Sequence, residues 1–105
     1  MKNINKILGE LKKQLLYVYG ERFSKLVLYG SYARGEAWEG SDIDVALILK
    51  GNVLPVKEID RLIDVITDID LEYDVLISVY PVSEKSLNTG KSPLLLNIKR
   101  EGIRV

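Results

Sequence analysis

Gly30 and Ser31 are separated by ten residues from the triplet Asp42-Ile43-Asp44, and Arg34 lies three residues beyond the serine. Each type in this stretch has a chemical use. Glycine lets the backbone turn tightly and approach a ligand, and the amides after it, opening a helical turn, suit an anion. Ser31 adds a hydroxyl donor. If Asp42 and Asp44 enter a strand, alternation sends both to one side with Cα atoms roughly 6.5 Å apart, two rises of about 3.3 Å. Carboxylates that close repel each other unless a cation lies between them, and carboxylate oxygens are the ligands Mg²⁺ prefers.

Each piece also has a plainer reading. Ser41-Asp42 can simply cap a turn with Asp44 solvated at an edge, Gly-Ser can be only a turn, and Arg34 can be a surface arginine or the partner of a carboxylate. Asp74 weighs against the plainer reading. It opens the run DVLISV and, in a strand over 73–80, shares a face with Leu76 and Ser78, so that three carboxylates converge if that strand neighbours the one after Asp42. Asp70 and Glu72 compete for this third place, but they fall at a helix end where charge is usually solvated. A metal held by Asp42, Asp44 and Asp74 opposite a phosphate pocket at Gly30-Ser31 is the minimum apparatus for phosphoryl or nucleotidyl transfer.

Composition narrows the chemistry further. The chain has no histidine and no cysteine, which excludes Ser-His-Asp and Cys-His machinery, His-based zinc sites and any disulfide framework. Lysine plus arginine and aspartate plus glutamate number 15 each, so there is no broad basic field for direct nucleic-acid binding. No leader-like or long apolar stretch is visible, which makes a cytoplasmic protein without membrane contact the expectation. With 105 residues, 47% of them hydrophobic, a single domain over 1–105 is expected.

The elements that must position these residues follow from periodicity. Ile4, Ile7, Leu8, Leu11, Leu15 and Val18 recur at helical spacing among Lys2, Lys6, Lys12 and Lys13, with Gly20 as the stop. Strands are expected over 25–29, 43–49 and 73–80, the last ending at Pro81, with a turn and one helical turn between Ser31 and Ser41. Pro55 opens a second long helix whose stripe is Ile59, Leu62, Ile63, Ile66 and Ile69. Ser92-Pro93 opens a last helix through Glu101 that Gly102 closes. The expected fold class is α/β (α+β), a small mixed sheet of three or four strands covered by helices.

The string GSYARGEAWEGSDIDVAL resembles the signature of the DNA polymerase β-like nucleotidyltransferase superfamily: Gly-Ser, ten residues, Asp-x-Asp, then a strand. The length, the Ala-Arg-Gly after Gly-Ser and the third aspartate resemble more narrowly the minimal nucleotidyltransferase (MNT) antitoxins of HEPN/MNT toxin-antitoxin systems. The resemblance implies that Gly30, Ser31 and Arg34 bind the nucleotide, that Asp42, Asp44 and Asp74 hold two Mg²⁺ ions and carry catalysis, and that ATP is the substrate. It further implies a HEPN ribonuclease toxin as partner, inactivated by transfer of AMP to a tyrosine. The alternatives are an antitoxin that acts by binding alone and a small-molecule nucleotidyltransferase subunit. Such a small enzyme lacks a domain to enclose the acceptor, so Tyr32, Trp38 and the apolar residues of the last helix are candidates for a partner interface.

Overall fold

The computed structural model describes residues 3–105; Lys2 of the first helical pattern lies outside them. Helix α1 spans Ile4–Tyr19, its first turn capped by the Asn3 side chain accepting from the Lys6 N–H at 3.1 Å. Its buried face is Ile7, Leu8, Leu11, Leu15 and Tyr19. A single 3-10 turn, Gly20–Arg22, leads into β1 (Phe23–Tyr29), and α2 (Ser31–Arg34) follows directly. Strand β2 is Ile43–Leu49, the range expected from its run of β-branched and large apolar residues, and α3 is Pro55–Tyr73. Then come β3 (Ile77–Ser83), α4 (Glu84–Thr89), α5 (Pro93–Glu101) and the two-residue β4 (Ile103–Arg104).

The sheet runs β3-β2-β1-β4, with β2 parallel to β3 and antiparallel to β1, and β4 antiparallel to β1. Helices cover both faces. On one, Leu26, Leu28, Ile43, Val45, Leu47, Leu49 and Ile77 pack with the buried stripes of α1 and α3. On the other, Val27, Ala46, Ile48 and Val82 pack with Leu87 of α4 and with Leu95 and Ile98 of α5. Burial on both faces explains why β2 reads as a nearly continuous apolar run once past Asp44.

Two expected elements shift. The strand expected over 73–80 is displaced: Tyr73 is the last residue of α3, Asp74 caps it with φ 52° and ψ 55°, and β3 begins only at Ile77. Aspartate tolerates this left-handed conformation better than most residues, so it can end a helix where a glycine is absent. Pro81 lies inside β3, in register with Leu47, because β3 is an edge strand whose outer side needs no donor. In the α3 stripe Ile63 is half exposed, whereas Glu58 is buried at 3%. Glu58 accepts from the Tyr19 hydroxyl at 3.1 Å and from Arg22 Nη2 at 3.4 Å, which satisfies the charge. Among the described residues no helix is long and apolar enough to cross a membrane.

Candidate active site

The site forms where β1 ends and β2 begins. Gly30 follows β1 with φ 76° and ψ −156°, a conformation open essentially to glycine alone, and it is buried. A Cβ at this position would fall on the Asp44 carboxylate, so the absence of a side chain is what lets the turn lie against Asp44. Ser31 opens α2, and the Arg34 N–H closes that turn on the Gly30 carbonyl at 3.1 Å. A second glycine, Gly35, ends the turn in the left-handed region at φ 72°.

Asp44 is directly opposite Tyr29 on β1 and in register with Ser78 on β3, on the sheet face that also carries Ala46 and Tyr80. Its carboxyl is pushed above the ordinary range first by burial and then by the negative charge of Asp42, with Arg34 pulling the other way. Burial, then Asp44 itself, raises the Tyr29 hydroxyl in turn. Asp42 lies in the loop just before β2 and is exposed. The loop preceding it is a closed turn: the Ser41 hydroxyl accepts from the Trp38 N–H at 3.0 Å, and the Ser41 N–H donates to the Trp38 carbonyl at 2.9 Å. Ser41 therefore does cap a turn, and that turn sets the approach of Asp42 to the strand.

Asp74 has a different position from the one its alternation suggests. It is exposed at the end of α3, four residues before the Ser78 that stands in register with Asp44. It lines a pocket of about 620 Å³ together with Asp42, Trp38, Asp70 and Leu76. Among the described residues no three acidic side chains come together as a metal-holding group, so the pair Asp42/Asp44 is the part of the expected triad that the chain brings together. A pair suits a magnesium ion that completes its shell with water and substrate phosphate, and two mutually repelling oxygen donors are the hard ligand set it takes.

Pattern alone undervalues Asp70. Its Oδ1 accepts from the Ile77 N–H at 3.0 Å and its carbonyl from the Val75 N–H at 3.1 Å, which ties the end of α3 to the start of β3. Burial raises its carboxyl, the Ile77 N–H lowers it, and the Asp42 charge raises it again. Glu101 is a group that sequence reasoning leaves out. Its carboxylate accepts from the Gly30 N–H at 3.1 Å and from Arg34 Nη1 at 3.2 Å, while Arg34 Nε is held by Glu36 at 2.7 Å. The Gly30 N–H, and after it Arg34, hold the Glu101 carboxyl below its usual range. Of the aromatic candidates for an interface, Trp38 is 71% exposed, whereas Tyr32 packs against the core beneath α1 and α3.

A glycine-serine turn laid against a half-buried aspartate, on a small mixed sheet with helices on both faces, defines a nucleotidyltransferase fold. The chain belongs to the family described as "Polymerase beta, Nucleotidyltransferase", whose model matches residues 2–105. A relative from Methanocaldococcus jannaschii, named "Putative protein adenylyltransferase MJ0141", is 32% identical over 102 residues, covering 97% of this chain and 98% of its own. A second chain of that organism with the same description, MJ0604, is 37% identical over 86 residues, covering 82% of this chain and 80% of its own.

Solved structures share the fold at low identity. A toxin-antitoxin crystal structure with AMP-PNP superposes with a TM-score of 0.63 at 17% identity, covering 90% of this chain and 68% of that one. A tri-AMPylated Shewanella oneidensis HEPN toxin in complex with an MNT antitoxin gives 0.56 at 14% identity, covering 93% and 70%.

Proposed function

We propose that this chain is a magnesium-dependent adenylyltransferase acting in the cytoplasm as an antitoxin, which moves AMP from ATP to a tyrosine hydroxyl of a HEPN ribonuclease partner. The observation that carries this reading is the contact of Gly30 with Asp44, because a turn of the kind that suits phosphate then lies beside the Asp42/Asp44 pair. The protein adenylyltransferase description of the M. jannaschii relatives and the MNT-HEPN complexes among the structural neighbours support the choice of donor and partner.

In this reading Gly30 and Ser31 receive the phosphates of ATP, and Arg34 supports the turn that does so. Asp42 and Asp44 would hold the two Mg²⁺ ions, and Asp74 would act from the wall of the pocket that it shares with Asp42; bound there, the metal would supply neutralisation of the charge that develops on the phosphates. The acceptor hydroxyl gives up its proton near Asp74 and attacks the α-phosphorus in line. One oxygen-phosphorus bond forms, the α-β bridge breaks, and pyrophosphate leaves across the Ser31 turn. In this reading the partner closes over the 620 Å³ pocket beside Asp42 and brings the acceptor to it.

One observation favours a binding-only antitoxin as second reading. The β3 residue in register with Asp44 is Ser78, a hydroxyl where a third carboxylate would complete the site. Co-expression with the HEPN partner and intact-mass spectrometry tests both readings. The expected result is added AMP on a partner tyrosine with the wild type and none with Asp42→Asn or Asp44→Asn. AMP transfer by either variant would overturn the assignment of the site. Full neutralisation of the toxin by Asp42→Asn without added AMP would establish binding alone.

A further inference from the structure

Three constraints meet at the Gly30 turn. The backbone there adopts a conformation that glycine alone enters readily, the turn spans just Ser31–Arg34, and its position against Asp44 depends on contact without a side chain. A short helical turn has little stability of its own, so something outside it must fix the geometry. Glu101, 71 residues further along the chain, reaches both ends of this turn: Oε1 takes the Gly30 N–H at its start and Arg34 Nη1 at its end, and Oε2 lies 3.3 Å from the same Nη1.

The anchor is itself fastened to the strand that delivers Gly30. Glu101 is the last residue of α5, whose buried Leu95 and Ile98 pack against the sheet. Gly102 comes next, pressed so closely on the Ile98 carbonyl and the Val27 side chain that a Cβ would collide with both. Ile103 and Arg104 then pair with Leu28 and Val27 of β1. The chain thus leaves β1 at Tyr29 and returns to it at Ile103, with Glu101 spanning the gap to Gly30.

We propose that Glu101 is a positioning residue for nucleotidyl transfer, whose carboxylate clamps the two ends of the Gly30–Arg34 turn and so sets Ser31 against the Asp42/Asp44 pair. The clamp engages the Gly30 amide and one face of Arg34, which leaves Ser31 as the turn's phosphate-binding hydroxyl. This rests on the reading of that turn as the phosphate site.

The test uses the full chain, with amide hydrogen exchange at Gly30 followed by NMR and titration with Mg²⁺ plus a non-hydrolysable ATP analogue. Glu101→Ala is expected to speed Gly30 exchange and weaken analogue binding, each on the order of tenfold, the weight of one charge-assisted hydrogen bond. Glu101→Gln retains a carbonyl acceptor for the Gly30 N–H and is expected to keep that exchange slow while losing part of the grip on Arg34. Unchanged Gly30 exchange and binding in Glu101→Ala would overturn the proposal. If Glu101→Ala does not fold, Arg34→Met carries the test: it breaks the second arm of the clamp and should weaken binding less in Glu101→Gln than in wild type, and simple additivity would overturn the clamp. Asp44→Asn serves as the control on the underlying reading: magnesium-dependent binding that survives it removes the nucleotide site itself, whatever Gly30 exchange shows.

Discussion

Replacing Gly30 with alanine isolates the contact on which the site depends, and Gly35→Ala provides a matched control. Both glycines have positive φ, 76° and 72°. They differ in ψ, −156° against 21°, and in surroundings: a Cβ at Gly35 meets nothing within 4 Å, whereas at Gly30 it lands on the Asp44 side chain. Gly35→Ala therefore carries only the left-handed penalty, about 1 kcal/mol. Gly30→Ala carries about 1–3 kcal/mol for its backbone conformation, with the displacement of Asp44 in addition. At roughly 4–8 °C per kcal/mol for a domain of this size, Gly35→Ala should lower Tm by about that much and Gly30→Ala by more. The larger contrast is in activity. A shift of the order of 1 Å in a reacting group costs about a hundredfold in rate, so AMP transfer by Gly30→Ala, assayed where both variants are folded, should fall at least that far while Gly35→Ala stays near wild type. Transfer by folded Gly30→Ala within a few-fold of wild type would refute the argument that this turn and Asp44 form one site.

Other expectations concern charge. Burial and Asp42 hold the Asp44 carboxyl above its ordinary range, so its stabilising contribution is present below the unfolded pKa and is lost as pH rises through the folded one. At pH 7 metal-free Asp44→Asn should melt at or above the wild-type temperature, and added MgCl₂ should raise Tm of the wild type alone; thermal melts with and without magnesium decide this. At the far end of the sheet, Glu58→Ala leaves the buried Tyr19 hydroxyl without its acceptor and should cost about 1–3 kcal/mol in urea unfolding, with AMP transfer per folded molecule unchanged. Tyr19 is pushed up to about 12, chiefly by burial and then by Glu58, so its contribution is full below pH 10 and fades as pH approaches 12. The stability gap between wild type and Tyr19→Phe should narrow over that interval, and a constant gap would contradict the assignment.

How much of the site could be read locally varies from residue to residue. Gly30, Ser31, Asp42 and Asp44 are near in sequence, and the strand into which the aspartates lead has the range that its apolar run gives. The last helix was equally legible, because its start and stop are written in side chains: the Ser92 hydroxyl accepts from the Leu95 N–H at 3.2 Å, and Gly102 follows the final residue. Asp74 was not legible. Tyr73 to Tyr80 alternates well enough for a strand, but α3 keeps Tyr73, Asp74 caps it and β3 waits until Ile77, since Ile66 and Ile69 are packed in the core and Asp70 binds the incoming chain. The pattern of the segment contains two compatible answers, and packing chose between them.

The amino-acid order by itself determined which residues could bind phosphate and metal, the helical and strand periods that bring them to one end of a sheet, and the exclusion of histidine and cysteine chemistry, because all of these depend on residue type and short spacing. Tertiary structure alone decided that Pro81 sits harmlessly in an edge strand, that Ser78 rather than a carboxylate stands beside Asp44, and that Glu101 grips the turn at Gly30. Those outcomes are set by which strands pair and in what register, a property of contacts between segments as distant in sequence as Val27 and Arg104 that no local pattern encodes.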